Sequence, residues 1–247
     1  MFNKHPKGLI AAALANLGER FGFYTMMAIL VLFLQAKFGM NGKEAGFIYS
    51  TFYFSIYILA LVGGIIADKT RNYKGTIFTG IVLMAVGYLL LAIPSKTPVD
   101  NKMLYLVITC ASLFVIAFGN GLFKGNLQAL VGQMYDNPQY ANMRDSGFSL
   151  FYMFINIGAI FAPFAAVGVR NWWLSTFGYN YDADLPALCH GQLAGTLSPE
   201  ATETYHTLVT KASTAPVQDY TAFASDYLNV FTTGFHYAFG VAIIAMA

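Results

Sequence analysis

Six apolar stretches decide what this chain can fold into. A helix that crosses a bilayer needs about 20 mostly apolar residues, and no irregular backbone survives in lipid. Five stretches meet that length, at 8–35, 45–67, 76–93, 102–134 and 146–169. A sixth opens near Phe231 and stays apolar to the end at Ala247. Composition agrees: 57% of the residues are hydrophobic and only 11% charged, a membrane balance rather than a soluble one. The chain therefore reads as an all-α membrane protein. Residues 1–169 hold transmembrane helices one to five, 170–229 form a long polar loop, and 230–247 begin a sixth helix. That helix has no polar closing cap, so the polypeptide reads as the front of something longer.

Other classes fit poorly. A net charge of +2 without a basic run gives nucleic acid nothing to bind. Lys4 and Lys7 precede the first apolar run as they would in a signal peptide, but the run is too long and lacks an early small-residue cleavage site. It is read as a retained helix. Cys110 lies in an apolar span and Cys189 in the loop, so no disulfide framework is expected. His190 adjoins Cys189, and one adjacent pair is a poor metal site. His5, His190, His206 and His236 lie near the termini or in the outer region, away from any nucleophile set, and no enzyme is expected. In the loop, Ser198-Pro199-Glu200 has the cap and the first-turn proline of a helix start, which predicts a short amphipathic helix over 199–212.

Three charges lie where lipid should not tolerate them: Glu19 and Arg20 in the first stretch, Lys124 in the fourth. Each costs roughly 2.5–3.5 kcal/mol at mid-membrane on insertion scales. Such residues face a protein interior or a water path, and they commonly mark a route for a solute. Asn16, Glu19, Arg20, Phe23, Tyr24 and Met27 recur at helical spacing and share one face. An arginine there can grip a carboxylate bidentately. A purely internal Glu19–Arg20 pair that locks helices is the competing reading. Neighbours in a helix face each other poorly, however, so each charge is expected to find its partner on another helix. Lys124, in a glycine-thinned and asparagine-bearing stretch, is the natural candidate. Gly63-Gly64-Ile65-Ile66-Ala67-Asp68-Lys69 closes the second helix, and Gly64, Asp68 and Lys69 suit a charged gate at the membrane face. Asn156 in the fifth helix reads as a buried amide, able both to donate and to accept.

Together these segments resemble one family. Gly-Gly-x-x-Ala-Asp-Lys is similar to the loop between helices two and three of the major facilitator superfamily. Asn16-Leu17-Gly18-Glu19-Arg20-Phe21-Gly22-Phe23-Tyr24 resembles the E-x-x-E-R-F-x-Y-Y signature of proton-dependent oligopeptide transporters. Gly121-Leu122-Phe123-Lys124 resembles that family's fourth-helix lysine motif, and Phe151-Tyr152-x-x-Ile155-Asn156-x-Gly158 its fifth-helix signature. The resemblance implies the N-terminal six-helix bundle of a twelve-helix transporter, the C-terminal bundle lying beyond this chain. It implies a symporter that takes up di- and tripeptides by alternating access, with protons as the coupling ion and no cofactor. Glu19, Arg20 and Lys124 would couple protons. Arg20, Tyr24, Tyr57, Lys124 and Asn156 would line the substrate site. The motif loop is cytoplasmic in the family, which puts the N-terminus inside a plasma membrane, here a bacterial inner membrane. Lysines and arginines alone favour that orientation only six to five. Asn16 and Phe23 depart from the signature, and an amide exchanges no proton. Asn16 also keeps open a transporter for another anionic solute, such as nitrate or an organic acid. A structural or receptor-like membrane protein is the reading from a different class.

Overall fold

The computed structural model describes residues 4–246. Six helices are long and apolar enough to cross a membrane. In chain order they are α1 (Gly8–Phe38), α2 (Gly42–Thr70), α3 (Tyr73–Ala92), α4 (Lys102–Met134), α5 (Arg144–Thr176) and α8 (Tyr220–Met246), with two short helices, α6 (Leu185–Ala194) and α7 (Pro199–Ala212), between the last two. A 3-10 turn, Ala141–Met143, leads into α5. The protein is an all-helical membrane bundle.

Local chemistry sets the boundaries. Gly39 ends α1 at φ 61°, a left-handed conformation that glycine adopts without strain. Two residues on, Asn41 and Glu44 form a reciprocal capping box that starts α2. The loop helix predicted at 199–212 forms over those residues, with Ser198 Oγ accepting from the Ala201 amide at 3.2 Å.

The long loop is shorter than the sequence suggests. Helix α5 runs on to Thr176, and α8 begins at Tyr220 rather than near Phe231. Asp219 causes the early start, because its Oδ1 accepts from the amides of Thr221 and Ala222, both at 2.9 Å. The polar appearance of 220–230 conceals an aromatic stripe, Phe223, Tyr227 and Phe231, stacked along α8 and buried. Between α5 and α8, the α6–α7 pair packs on α8 and joins the core of the bundle. Cys189, expected in an open loop, is fully buried in α6 beside the buried Tyr205 and Val209. Burial pushes its thiol up to about 12. Tyr205 donates to the Tyr220 carbonyl at 2.6 Å. The His190 ring meets the Ala36 carbonyl at 2.8 Å and so ties α6 to the end of α1.

Glycines hold the membrane helices close. Helix α4 packs against α2 and α3, while α1 packs against α5 and α8. A Cβ at Gly63 would collide with the Gly121 carbonyl, and one at Gly80 would stand 2.6 Å from the Gly119 oxygen. Two glycines on α4 thus admit two neighbours, as close crossings in lipid require. Large apolar side chains such as Phe54, Leu61, Phe78 and Phe164 point away from the bundle.

Candidate functional site: a buried ion pair beside an open polar face

The centre of the site lies on α1. Glu19 and Arg20 are 2% and 6% exposed. They bind each other in the fork arrangement: Arg20 Nε donates to Glu19 Oε2 at 2.5 Å and Nη2 to Oε1 at 2.7 Å. This is the one ion pair among the described residues, and it corrects the expectation that each charge pairs across helices. Adjacent Cβ atoms do diverge on a helix, but an arginine stem is long enough to wrap back. No second buried carboxylate competes for it, since Glu19 is the one buried acid among the described residues. The bidentate fork then outweighs the poor starting geometry.

A third group completes the cluster. Asn120 of α4 is fully buried and donates from Nδ2 to Glu19 Oε1. Glu19 therefore accepts three hydrogen bonds. The Arg20 guanidinium also lies 4.9 Å from the centre of the Phe23 ring. Two amide atoms near these positions in the chain have no protein partner, Asn16 Nδ2 and Asn120 Oδ1. Unpaired buried polar atoms are uncommon, and they keep this interior hydrophilic.

The other expected ligand residues lie on an uncovered face. Tyr24 and Tyr57 are 37% and 50% exposed. Lys124 is half-buried, with Nζ 5.3 Å from the centre of the Tyr57 ring, and it makes no ion pair. The expected Lys124–Glu19 pairing is absent here. Asn156, read as buried, is exposed, because α5 turns that face away from α1 and α8. The structure thus separates the set into a closed pair, a cation beside a phenol in Lys124 and Tyr57, and two further uncovered residues, Tyr24 and Asn156.

Sequence reasoning missed three contributors. Tyr53 Oη lies 3.0 Å from Tyr57 Oη, and Tyr49 stacks on Tyr53. Tyrosines at 49, 53 and 57 fall at i, i+4 and i+8, a signal present in the sequence. Asn120 was visible as well, four residues before Lys124 on the same helix.

At the end of α2, Asp68 accepts from the Tyr73 hydroxyl at 2.5 Å, and Lys69 is exposed. Gly64 has open space where a Cβ would stand, so the tight crossing belongs to Gly63. Asn126 secures that crossing, donating to the carbonyls of Gly63 at 3.0 Å and Leu122 at 2.8 Å.

Comparison with known proteins adds the following. A family model described as the POT family matches residues 74–247. The chain is 34% identical to the peptide transporter YePEPT of Yersinia enterocolitica over 185 residues, which are 73% of this chain and 34% of that protein. It is 34% identical to dipeptide and tripeptide permease A of an Enterobacter species over 179 residues, covering 72% of this chain and 32% of that one. Among solved structures, a peptide transporter POT in complex with sulfate superposes with a TM-score of 0.57 at 28% identity, covering 84% of this chain and 44% of that chain. Tetrameric PepTSo2 superposes with a TM-score of 0.61 at 26% identity, covering 97% and 48%. The chain spans about a third of the length of the curated relatives it matches.

Proposed function

The chain belongs to the POT family, and on that premise we propose that it forms the N-terminal bundle of a proton-coupled symporter that takes up di- and tripeptides. The observation that carries this reading is a buried carboxylate closed on a guanidinium, in a bundle that leaves Lys124 beside Tyr57, and Tyr24 and Asn156, uncovered. Two solute transporters similar to this chain are named for peptides.

The arrangement supports a simple coupling. A proton on Glu19 removes the negative charge and turns one acceptor oxygen into a donor. The fork then loses its reason to stay closed, and Arg20 is free to grip the carboxylate of a peptide. Lys124 adds a second cation on the open face. The phenols of Tyr24, Tyr53 and Tyr57 and the amide of Asn156 offer hydrogen bonds to peptide groups. With its carboxylate neutralised, the loaded site favours closure against a second bundle supplied by the rest of the transporter. Loss of the proton on the other side closes the Glu19–Arg20 fork again and expels the peptide. Asn16 holds no exchangeable proton, so α1 couples through Glu19 alone.

In this reading the N-terminus is cytoplasmic, in a bacterial inner membrane. Asp68 and Lys69 then sit at the inner face as the gate, and α6–α7 stands outside. The experiment is pH-gradient-driven uptake of labelled dipeptide by the full-length transporter and by its Glu19→Gln variant. The variant is expected to exchange peptide across the membrane but not to concentrate it. Equal gradient-driven accumulation by both proteins refutes the role given to Glu19.

A further inference from the structure

A second polar site lies far along α1 from the ion pair. Lys37, the penultimate residue of α1, is 2% exposed, yet no carboxylate faces it. Its ammonium donates to the Ser95 carbonyl at 2.5 Å, to the Lys96 carbonyl at 3.3 Å and to Thr97 Oγ1 at 2.8 Å. Those bonds use its three protons and pin the α3–α4 turn, but they leave a whole positive charge without a counter-charge.

Lys37 and His236 of α8 line one cavity of about 250 Å³. His236 is 4% exposed, and its Nδ1 meets the Leu91 carbonyl at 2.6 Å. A carbonyl can only accept, so Nδ1 carries the proton. Nε2 of the neutral ring is then an acceptor, and it has no partner. Tyr105 and Thr109 add hydroxyls to the lining, and no acid is among the lining residues. The remaining wall is apolar. Leu90, Ile93 and Ile108 are 42%, 56% and 41% exposed on the outside of the bundle. The cavity therefore joins an uncompensated cation, an unpaired acceptor and an apolar lip open to the bilayer.

We propose that this cavity holds the headgroup of an acidic lipid that also bears hydroxyls, of the phosphatidylglycerol type. Its phosphate answers the charge of Lys37, assisted by the hydroxyls of Tyr105 and Thr109. A headgroup hydroxyl donates to His236 Nε2. The volume admits a headgroup but not acyl chains, which lie along Leu90, Ile93 and Ile108. A free phosphate has the charge but no use for the lip, and a choline lipid brings a second positive charge and no hydroxyl.

The test is native mass spectrometry of the purified full chain in detergent, titrated with dioleoyl phosphatidylglycerol, dioleoyl phosphatidylcholine and inorganic phosphate. One equivalent of phosphatidylglycerol is expected to bind at least tenfold tighter than phosphatidylcholine, with inorganic phosphate unable to displace it. Ile108→Trp blocks the lip without touching the Lys37 bonds, and it should weaken phosphatidylglycerol at least tenfold while leaving lipid-free Tm unchanged. His236→Leu should weaken it similarly. Lys37→Gln also cuts the α3–α4 turn, so a failure of that variant to fold is covered by Ile108→Trp. Equal binding of the two lipids, displacement by inorganic phosphate, or wild-type binding by Ile108→Trp would overturn the proposal.

Discussion

The Glu19–Arg20 fork makes a quantitative demand on stability. Unit charges about 4 Å apart attract by roughly 4 kcal/mol at an effective dielectric near 20. Removing one partner of a buried pair is correspondingly severe, about 3–5 kcal/mol, because the other charge is stranded. Glu19→Gln should strand Arg20, and Arg20→Gln should strand Glu19 with only the Asn120 bond left. The double variant strands neither, so its loss should be well below the sum, with a coupling of about 3 kcal/mol in the cycle. Lys124→Gln should cost about 1 kcal/mol or less, the worth of an exposed contact between a cation and a ring. Unfolding of the purified chain in detergent, followed through Trp172 and Trp173, measures all four. Additive losses at Glu19 and Arg20, or a loss at Lys124 as large as either, would mean that the charges are partnered across helices, and the reasoning would be wrong.

Two further outcomes are expected. Gly63→Leu should abolish the folded bundle, since its Cβ alone collides with the Gly121 carbonyl, whereas Gly64→Ala should be tolerated or gain about 0.5–1 kcal/mol of helix propensity; monodisperse yield in size-exclusion chromatography separates the two. Cys189 has a raised thiol pKa from burial, up to about 12, so the folded α6–α7 pair favours the protonated thiol. That stabilisation is complete below the ordinary thiol value of about 8.5 and is lost as pH rises above it; maleimide labelling of Cys189 should stay slow at pH 7 and accelerate beyond thiolate chemistry alone as α6–α7 loosens above about pH 9.

The helical plan was readable because lipid imposes it. Bilayer thickness converts apolar run length directly into helices, and α4 forms over the same residues as its apolar run. The α7 helix was equally readable, because Ser198 and Pro199 are local signals. The errors lie where polarity misleads. Residues 220–230 contain Thr221, Ser225, Asp226 and Asn229 and read as loop, yet successive helical turns place Phe223 and Tyr227 inward. The same holds at Cys189, whose burial depends on α7 folding over α6, a contact no local pattern announces.

At the site, residue types were legible and pairings were not. The charges in α1 and α4 could be found from their insertion cost alone. Which one closes on which depends on side-chain wrapping and on the absence of a rival acid, and both are properties of the packed bundle. That difference alters the argument about coupling. With Glu19 already satisfied by Arg20 and Asn120, the proposed protonation would release Arg20 rather than Lys124, whose contact is with the Tyr57 ring. Swinging a two-state bundle from 1:99 to 99:1 requires about 5.5 kcal/mol of difference between the states. The fork can contribute at most the cost of stranding one of its members, about 3–5 kcal/mol. The remainder must come from a peptide that binds one state better than the other, and for that reason neither proton nor peptide should drive the swing alone.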